Sequence, residues 1–430
     1  MSAFTNRIRN FISIFWYGVR LKSINIIMLT VNFAILIYSI YDIYQNPESL
    51  FGNDLLGLLI FLFLNIIWQV VSLVYDICSF LTTTGCSLSK PIKNPIDTNT
   101  QGSYSIENEY NLKEVLNKYS IPEHLSKDVP VIHNTSINYL LANKTPIALR
   151  YSEKHFQITR EYIKLNKGCL SMFLIEKWGG LKTGTFHNET KLCQASEIKQ
   201  DKKGDYYITL GKGTYYDSFL TNDIYTLCLN HQNREMLPPM NYRNYGIRPF
   251  EQSIFGNHLG VSTIAITSDE YALILRHNKN TAVSADKLAG SGSGSVDFAD
   301  WKRKKDTDLR EILTRAAIRE LSEETGLKGF LKTKAKEKDI IKSEIIGMYR
   351  NLERGGKPDF CLVTYIDATY DEVSNAFKAE KKEVVDNVQF IQVKELENFL
   401  ETNKEIVSVS LYMNFYYLKQ YVQAQKQSET

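Results

Sequence analysis

The sequence predicts an α+β protein: an N-terminal transmembrane helical hairpin, then a β-rich region, then a mixed domain of strands and helices. Three observations predict it. Two uncharged runs, 23–41 and 55–75, are 19 and 21 residues long, close to the length a helix needs to cross the hydrocarbon core. Short β-branched and aromatic runs bounded by turn residues recur from about residue 147 onward. One later stretch places Leu309, Ile312, Leu313, Ala316, Ala317 and Leu321 at three- and four-residue steps, the mark of an amphipathic helix. The boundaries that follow are a membrane anchor over 1–81, a linker over 82–105, a mixed, β-rich region over 106–250 and a last domain over 251–430. A chain of 430 residues has room for them.

The N-terminal elements come first. Arg7, Arg9, Arg20 and Lys22 precede the first uncharged run, with no acid among them. The bend between the runs carries Asp42, Asn46, Pro47, Glu48, Asn53 and Asp54 but no base, and Lys90 and Lys93 follow the second run. The positive-inside rule then places both ends in the cytoplasm, giving a multi-pass membrane protein with two spans and the lipid bilayer as a partner. A signal peptide would leave the second run unexplained. Asn32, Asn65 and Gln69 lie within the runs; their amides suit either a homo-oligomer through the spans or pairing within the hairpin. A net charge of +3 is too small to argue for a nucleic-acid partner. Six scattered cysteines without a Cys-x-x-Cys pair make zinc an unpromising ligand, and a reducing compartment is the simpler reading.

Residues 82–105 are rich in Thr, Ser, Asn, Pro and Gly and read as a linker. A short helix is expected around 112–118, then strands at 147–151, 171–175, 206–210 and 224–229. Pro146 suits a strand start, where no ladder donor is needed. Asp201 to Gly204 reads as a turn. His133, His155, His187 and His231 are scattered and carry no constellation.

From 260 the pattern is a hairpin, 261–267 and 271–276, followed by Ala289-Gly-Ser-Gly-Ser-Gly-Ser295. Small residues of this kind let backbone approach a partner closely; a flexible linker is the other reading. Lys302 to Lys305 form a basic run that reads as a solvated face or a phosphate or lipid contact. On the amphipathic helix, Glu320, Glu323 and Glu324 fall at i, i+3 and i+4 and so share one face. Three like charges repel unless cations lie between them, and hard carboxylate oxygens suit Mg²⁺ or Mn²⁺. Gly326 is placed to stop the helix. Strands are expected at 344–349, 360–367 and 388–393, with helices from 394 and over 405–425.

Glu311, seven residues, then Arg319-Glu-Leu-Ser-Glu-Glu-Thr-Gly-Leu327 resembles most of the signature of the Nudix hydrolases. The resemblance covers about 255–420, with its specific part at 311–327. One position departs: Lys305 stands where the signature has glycine. The resemblance implies an α/β/α sandwich and a pyrophosphohydrolase acting on a nucleoside diphosphate linked to another moiety. It implies Mg²⁺ or Mn²⁺ held by Glu320, Glu323 and Glu324. Arg319 would orient a glutamate, with Glu311 as its partner, and the general base would be Glu323 or a carboxylate from a later loop. Gly292, Ser293 and Gly294 would shape the substrate site in place of the usual glycine loop. The segment Arg354-Gly-Gly-Lys-Pro-Asp359 resembles one in longer Nudix-like proteins, where Lys357 would hold a phosphate and Asp359 would assist the metal or base; a plain hairpin turn fits the same residues. Gly213 to Asp223 is similar to a segment preceding that domain in the longer proteins, which would bring the middle region to the pocket. A non-catalytic nucleotide sensor in the membrane is the alternative.

Overall fold

The structure is a computed structural model; it describes residues 37, 63, 65–67, 86–89, 114–123, 129–163, 165–166, 169, 189–231, 234–237, 246–277, 286–301, 308–327, 341–379 and 385–429. The first elements in chain order are β1 (Cys86–Ser89), β2 (Val131–Ile132), α1 (Thr135–Ala142), β3 (Ile147–Tyr151), β4 (Thr190–Gln194), β5 (Lys199–Gln200) and β6 (Tyr206–Thr214). Then come β7 (Cys228–His231), β8 (Arg234–Leu237), β9 (Gly260–Thr267), β10 (Tyr271–His277), β11 (Leu288–Ala289), β12 (Gly292–Ser295) and α2 (Leu309–Thr325). The last are β13 (Ile341–Asn351), β14 (Lys357–Ile366), α3 (Tyr370–Ala379), β15 (Val385–Gln392), α4 (Leu396–Thr402) and α5 (Val409–Glu429).

The largest sheet among the described residues has eight strands, built on β9, β14 and β13. β14 runs parallel to β9 and antiparallel to β13. Burial on both faces explains why β9 and β14 carry nearly unbroken apolar or small residues. Phe360 and Leu362 of β14 pack in one cluster with Leu309, Ile312, Leu313, Ala316 and Ala317 of α2. Cys361 and Val363, on the other face, pack with Leu411, Met413, Tyr417 and Leu418 of α5. The sheet therefore lies between two helices, and the period-two alternation of β14 distributes its side chains between them.

The free edge of β9 is shared. Its start pairs with β12 and its end with β10. Ser291 sits where these partners diverge: its hydroxyl donates to the Leu273 carbonyl at 2.7 Å and accepts from the Ala265 amide at 2.6 Å. The β-rich region forms a second sheet, β3, β6 and β4 with β5 at the side. This sheet joins the first through backbone bonds: Leu192 donates to the Val296 carbonyl at 3.1 Å, and Leu259 donates to the Leu192 carbonyl at 2.9 Å.

Several expectations are corrected. Among the described residues no helix is long and apolar enough to cross a membrane, so the transmembrane hairpin and the membrane localisation fall and the architecture is mixed α/β. Apart from residues 37, 63 and 65–67, the two uncharged runs lie outside the described residues. Uncharged length alone does not separate a span from a buried helical segment. Cys86–Ser89, expected in a linker, is a strand paired with β7. The strand expected over 224–229 begins at Cys228, because a π-helical turn, Phe219–Asp223, occupies the chain before it. The strand expected at 171–175 lies outside the described residues.

Candidate functional site

The site is assembled on α2. Asp308 caps its start by accepting from the Arg310 amide at 2.9 Å. Gly326, at φ +73°, ends it in the left-handed conformation that glycine adopts without strain. Between the caps, Leu309, Ile312, Leu313, Ala316, Ala317 and Leu321 are all buried, so the helix turns Arg319, Glu320, Glu323 and Glu324 along its other side.

That side faces β12. The glycine-rich segment expected as a loop is a strand, paired with β9 from Gly292↔Thr263 to Ser295↔Gly260. Its glycines are required by the helix. A Cβ at Gly292 would collide with the backbone of Leu321, and a Cβ at Gly294 would collide with the Glu320 carboxylate. The Ser293 amide donates to Glu324 Oε2 at 2.9 Å. His277 Nε2 lies 3.6 Å from the other oxygen of the same carboxylate.

Arg319 organises the acids. Its Nη1 donates to Glu320 at 2.9 Å and to Glu323 at 3.1 Å. Its Nε and Nη2 grip the two oxygens of Asp300 at 3.1 and 2.9 Å, and Nη2 also donates to the Ser295 carbonyl at 2.9 Å. Burial alone would disfavour the guanidinium charge. The bond to Asp300 and the charges of Glu320 and Asp297 outweigh it and raise the pKa further. Glu311 is not its partner. It lies eight residues earlier, about 12 Å along the helix at 1.5 Å per residue, exposed in the first turn.

The three glutamates differ in environment. Burial pushes the Glu320 carboxyl up to about 8, and the charges of Glu324 and Glu323 add to the rise, while Arg319 and Lys191 oppose it. The Glu324 side chain is 11% exposed and the Glu323 side chain 55%. Among the described residues no three His, Cys, Asp or Glu side chains stand together as a ready-made metal centre. The donor chemistry fits a divalent ion nonetheless: three carboxyl groups on one helix face offer the hard oxygen donors that Mg²⁺ and Mn²⁺ take, with Glu320 giving up its proton to bind.

The β-rich region reaches the same place. Lys191 of β4 pairs with Asp297 and, at 3.0 Å, with Glu189. Burial works against its charge, but Asp297 and Glu189 prevail and hold its pKa above the usual lysine value. Tyr215 stacks on His258 with ring centroids 5.6 Å apart. His258 Nε2 bonds the Ser295 hydroxyl at 2.9 Å, and burial keeps this imidazole neutral, with its pKa well below the ordinary value.

Lys357 and Asp359, expected on a loop, lie at the start of β14, two strands from β12, and are paired with each other. Gly260 sits between Ser295 and Asp359 across the sheet. A Cβ there would occupy the position of the Lys357–Asp359 pair. Burial lowers the Lys357 pKa, with Asp359 opposing. The structure thus gathers Gly292, Ser293, Gly294, Arg319, Glu320, Glu323 and Glu324, sets Lys357 and Asp359 behind them in the sheet, and leaves Glu311 apart. Asp300, Ser295, Asp297 and Lys191 were missed from sequence. They come from a turn, a strand end and another sheet, with no shared spacing to signal them.

No protein-family model matches the sequence, and no curated protein matches it. Among solved structures the chain is similar to the DR0079 protein of Deinococcus radiodurans, at 10% identity and a TM-score of 0.24, over 38% of this chain and 82% of that one. It is also similar to a MutT protein from Methanosarcina mazei, at 18% identity and a TM-score of 0.25, over 39% of this chain and 95% of that one. Scores this low leave the functional reading to the residues themselves.

Proposed function

We propose that the chain is a divalent-metal-dependent hydrolase of the Nudix type, cleaving the pyrophosphate bond of a nucleoside diphosphate linked to another moiety. One observation carries the reading: Glu320, Glu323 and Glu324 share a helix face with Arg319 joined to two of them, packed on a strand whose glycines admit that face. Glu320, Glu323 and Glu324 would hold Mg²⁺ or Mn²⁺. When bound, the ion supplies charge neutralisation for the diphosphate and acidifies water.

The remaining roles belong to the chain. Arg319 fixes the spacing of Glu320 and Glu323 through charge-assisted bonds. Ser293 orients Glu324 through its amide. We assign the proton transfer from water to Glu323, the most exposed of the three. Lys357 is held by Asp359, so any phosphate contact requires that pair to open.

A second reading has its own observation. Arg319 already engages Glu320 and Glu323, which takes up two of the three carboxylates and suits a site that binds a nucleotide without hydrolysing it. A panel of nucleoside diphosphate conjugates incubated with the full chain and Mg²⁺ separates the two. The expected result is product release that stops with EDTA and is lost, by at least about 10²-fold, in Glu323→Gln and Glu324→Gln while far-UV circular dichroism is unchanged. Full activity in both variants would refute the assignment. Micromolar binding with no turnover would favour the sensor.

A further inference from the structure

The β-rich region supplies more than scaffold. The turn that carries Asp300 is Phe298–Asp300, and Asp297 caps it: the Asp297 amide donates to Asp300 Oδ2 at 2.9 Å. That same oxygen receives Arg319 Nη2 at 2.9 Å. The Asp297 carboxylate in turn is held by Lys191 of β4 and lies 3.6 Å from Arg319 Nη2. The backbone adds a bridge between Lys191 and Asp297 and the bond from Leu192 to Val296. On the far side of the turn, Trp301 and Phe298 pack on Tyr151 of β3, with centroids 5.0 and 6.2 Å away.

Asp300 is thus held from two sides: by the Asp297 amide, itself fixed from the second sheet, and by α2, whose Arg315 Nε donates to the Asp300 carbonyl at 2.8 Å. Lys191 is 7% exposed on its side chain, so the ion pair is shielded from solvent, and losing one partner would strand the other.

We propose that the β-rich region is part of the site: Lys191 holds the Asp297–Asp300 turn, and the turn sets the orientation of Arg319 between Glu320 and Glu323. Lys191 and Asp300 are positioning residues in this scheme. The inference deepens the reading under Proposed function and rests on it for its catalytic consequence alone.

The test uses the full chain and two readouts. Lys191→Met and Asp300→Asn are expected to lower kcat by about 10- to 100-fold, as losses of orienting partners do, with KM little changed. Lys191→Arg is expected to restore most of the loss. Independently, side-chain ¹⁵N NMR reads the rotation of the Arg319 guanidinium. Separate Nη resonances are expected in the wild-type chain and in Lys191→Arg, merging in Lys191→Met and Asp300→Asn. Should Lys191→Met fail to fold, Asp297→Asn breaks the same pair from its other end. An Arg319 spectrum identical to wild type in Lys191→Met would overturn the proposal, whether or not kcat fell. If the wild-type chain hydrolyses nothing, the hydrolase reading fails by itself, and the Arg319 spectra still decide the positioning claim.

Discussion

At the residue scale, the acids and the base beside them were legible because they share one helix. Spacing of i, i+3 and i+4 forces Glu320, Glu323 and Glu324 onto a face whatever the fold around it. The partner of Arg319 was not legible, because Asp300 reaches it only through tertiary packing. A helical register cannot bring Glu311 back to residue 319. Asp300→Asn is therefore expected to lower turnover more than Glu311→Gln does, in parallel steady-state assays. The buried Glu320 carboxyl leads to a second expectation. Its pKa is raised by burial, and by Glu324 and Glu323, to about 8. It therefore carries a proton at pH 7, which a bound cation must displace. Calorimetric titration with Mn²⁺ at pH 7 should release protons, giving an enthalpy that varies with the ionisation enthalpy of the buffer. The dependence should vanish in Glu320→Gln. A wild-type enthalpy that is the same in every buffer would remove Glu320 from the ligand set.

At the scale of elements, α2 was legible from end to end. Its stripe, its Gly326 stop and its acidic face all follow from local spacing, and every residue of the stripe is buried. Leu313→Ala is expected to cost about 2–5 kcal/mol, as truncations in packed cores do, measured by urea denaturation. β12 was the hard case. Gly-Ser-Gly-Ser has no β-branched residue and reads as loop or linker, yet pairing with β9 and the approach of α2 make it a strand. Its composition is dictated by the neighbour and not by strand propensity. That gives the two glycines different weights. Gly292 faces the backbone of Leu321, which cannot move aside, whereas Gly294 faces the side chain of Glu320. Gly292→Ala should cost at least the 1–3 kcal/mol of ordinary overpacking, about the upper end or more. Gly294→Ala should cost less stability but displace Glu320 and lower turnover. Equal stability losses with unchanged turnover would contradict this geometry.

At the scale of the whole molecule, the contacts between the β-rich region and the main sheet leave no signal in local spacing. Uncharged run length and strand composition describe segments one at a time and carry no information on what packs against what. The structure ties the β-rich region to the main sheet at a second point, centred on Arg350. This side chain of β13 is fully buried. Its Nε donates to the Gly356 carbonyl at 3.0 Å and its Nη2 to the Arg248 carbonyl at 2.8 Å. Nη1 lies 3.6 Å from Glu197 of the β-rich region, and the guanidinium stacks over Phe250 at 4.0 Å and Tyr119 at 5.3 Å. Tyr119 donates its hydroxyl to the same Glu197. A charge so enclosed is tolerated only while its partner remains, since one ion left alone in the interior is strongly destabilising. Arg350→Met and Glu197→Gln should each lower stability by about 3–5 kcal/mol. The double variant should lose clearly less than the sum, because the second change removes a group that the first had already stranded. Unfolding of the wild-type chain should show coincident urea transitions for a probe in the β-rich region and one on α2. Additive losses, or two separated transitions, would mean that the regions are joined without depending on each other, and Arg350 would then be a local feature of β13.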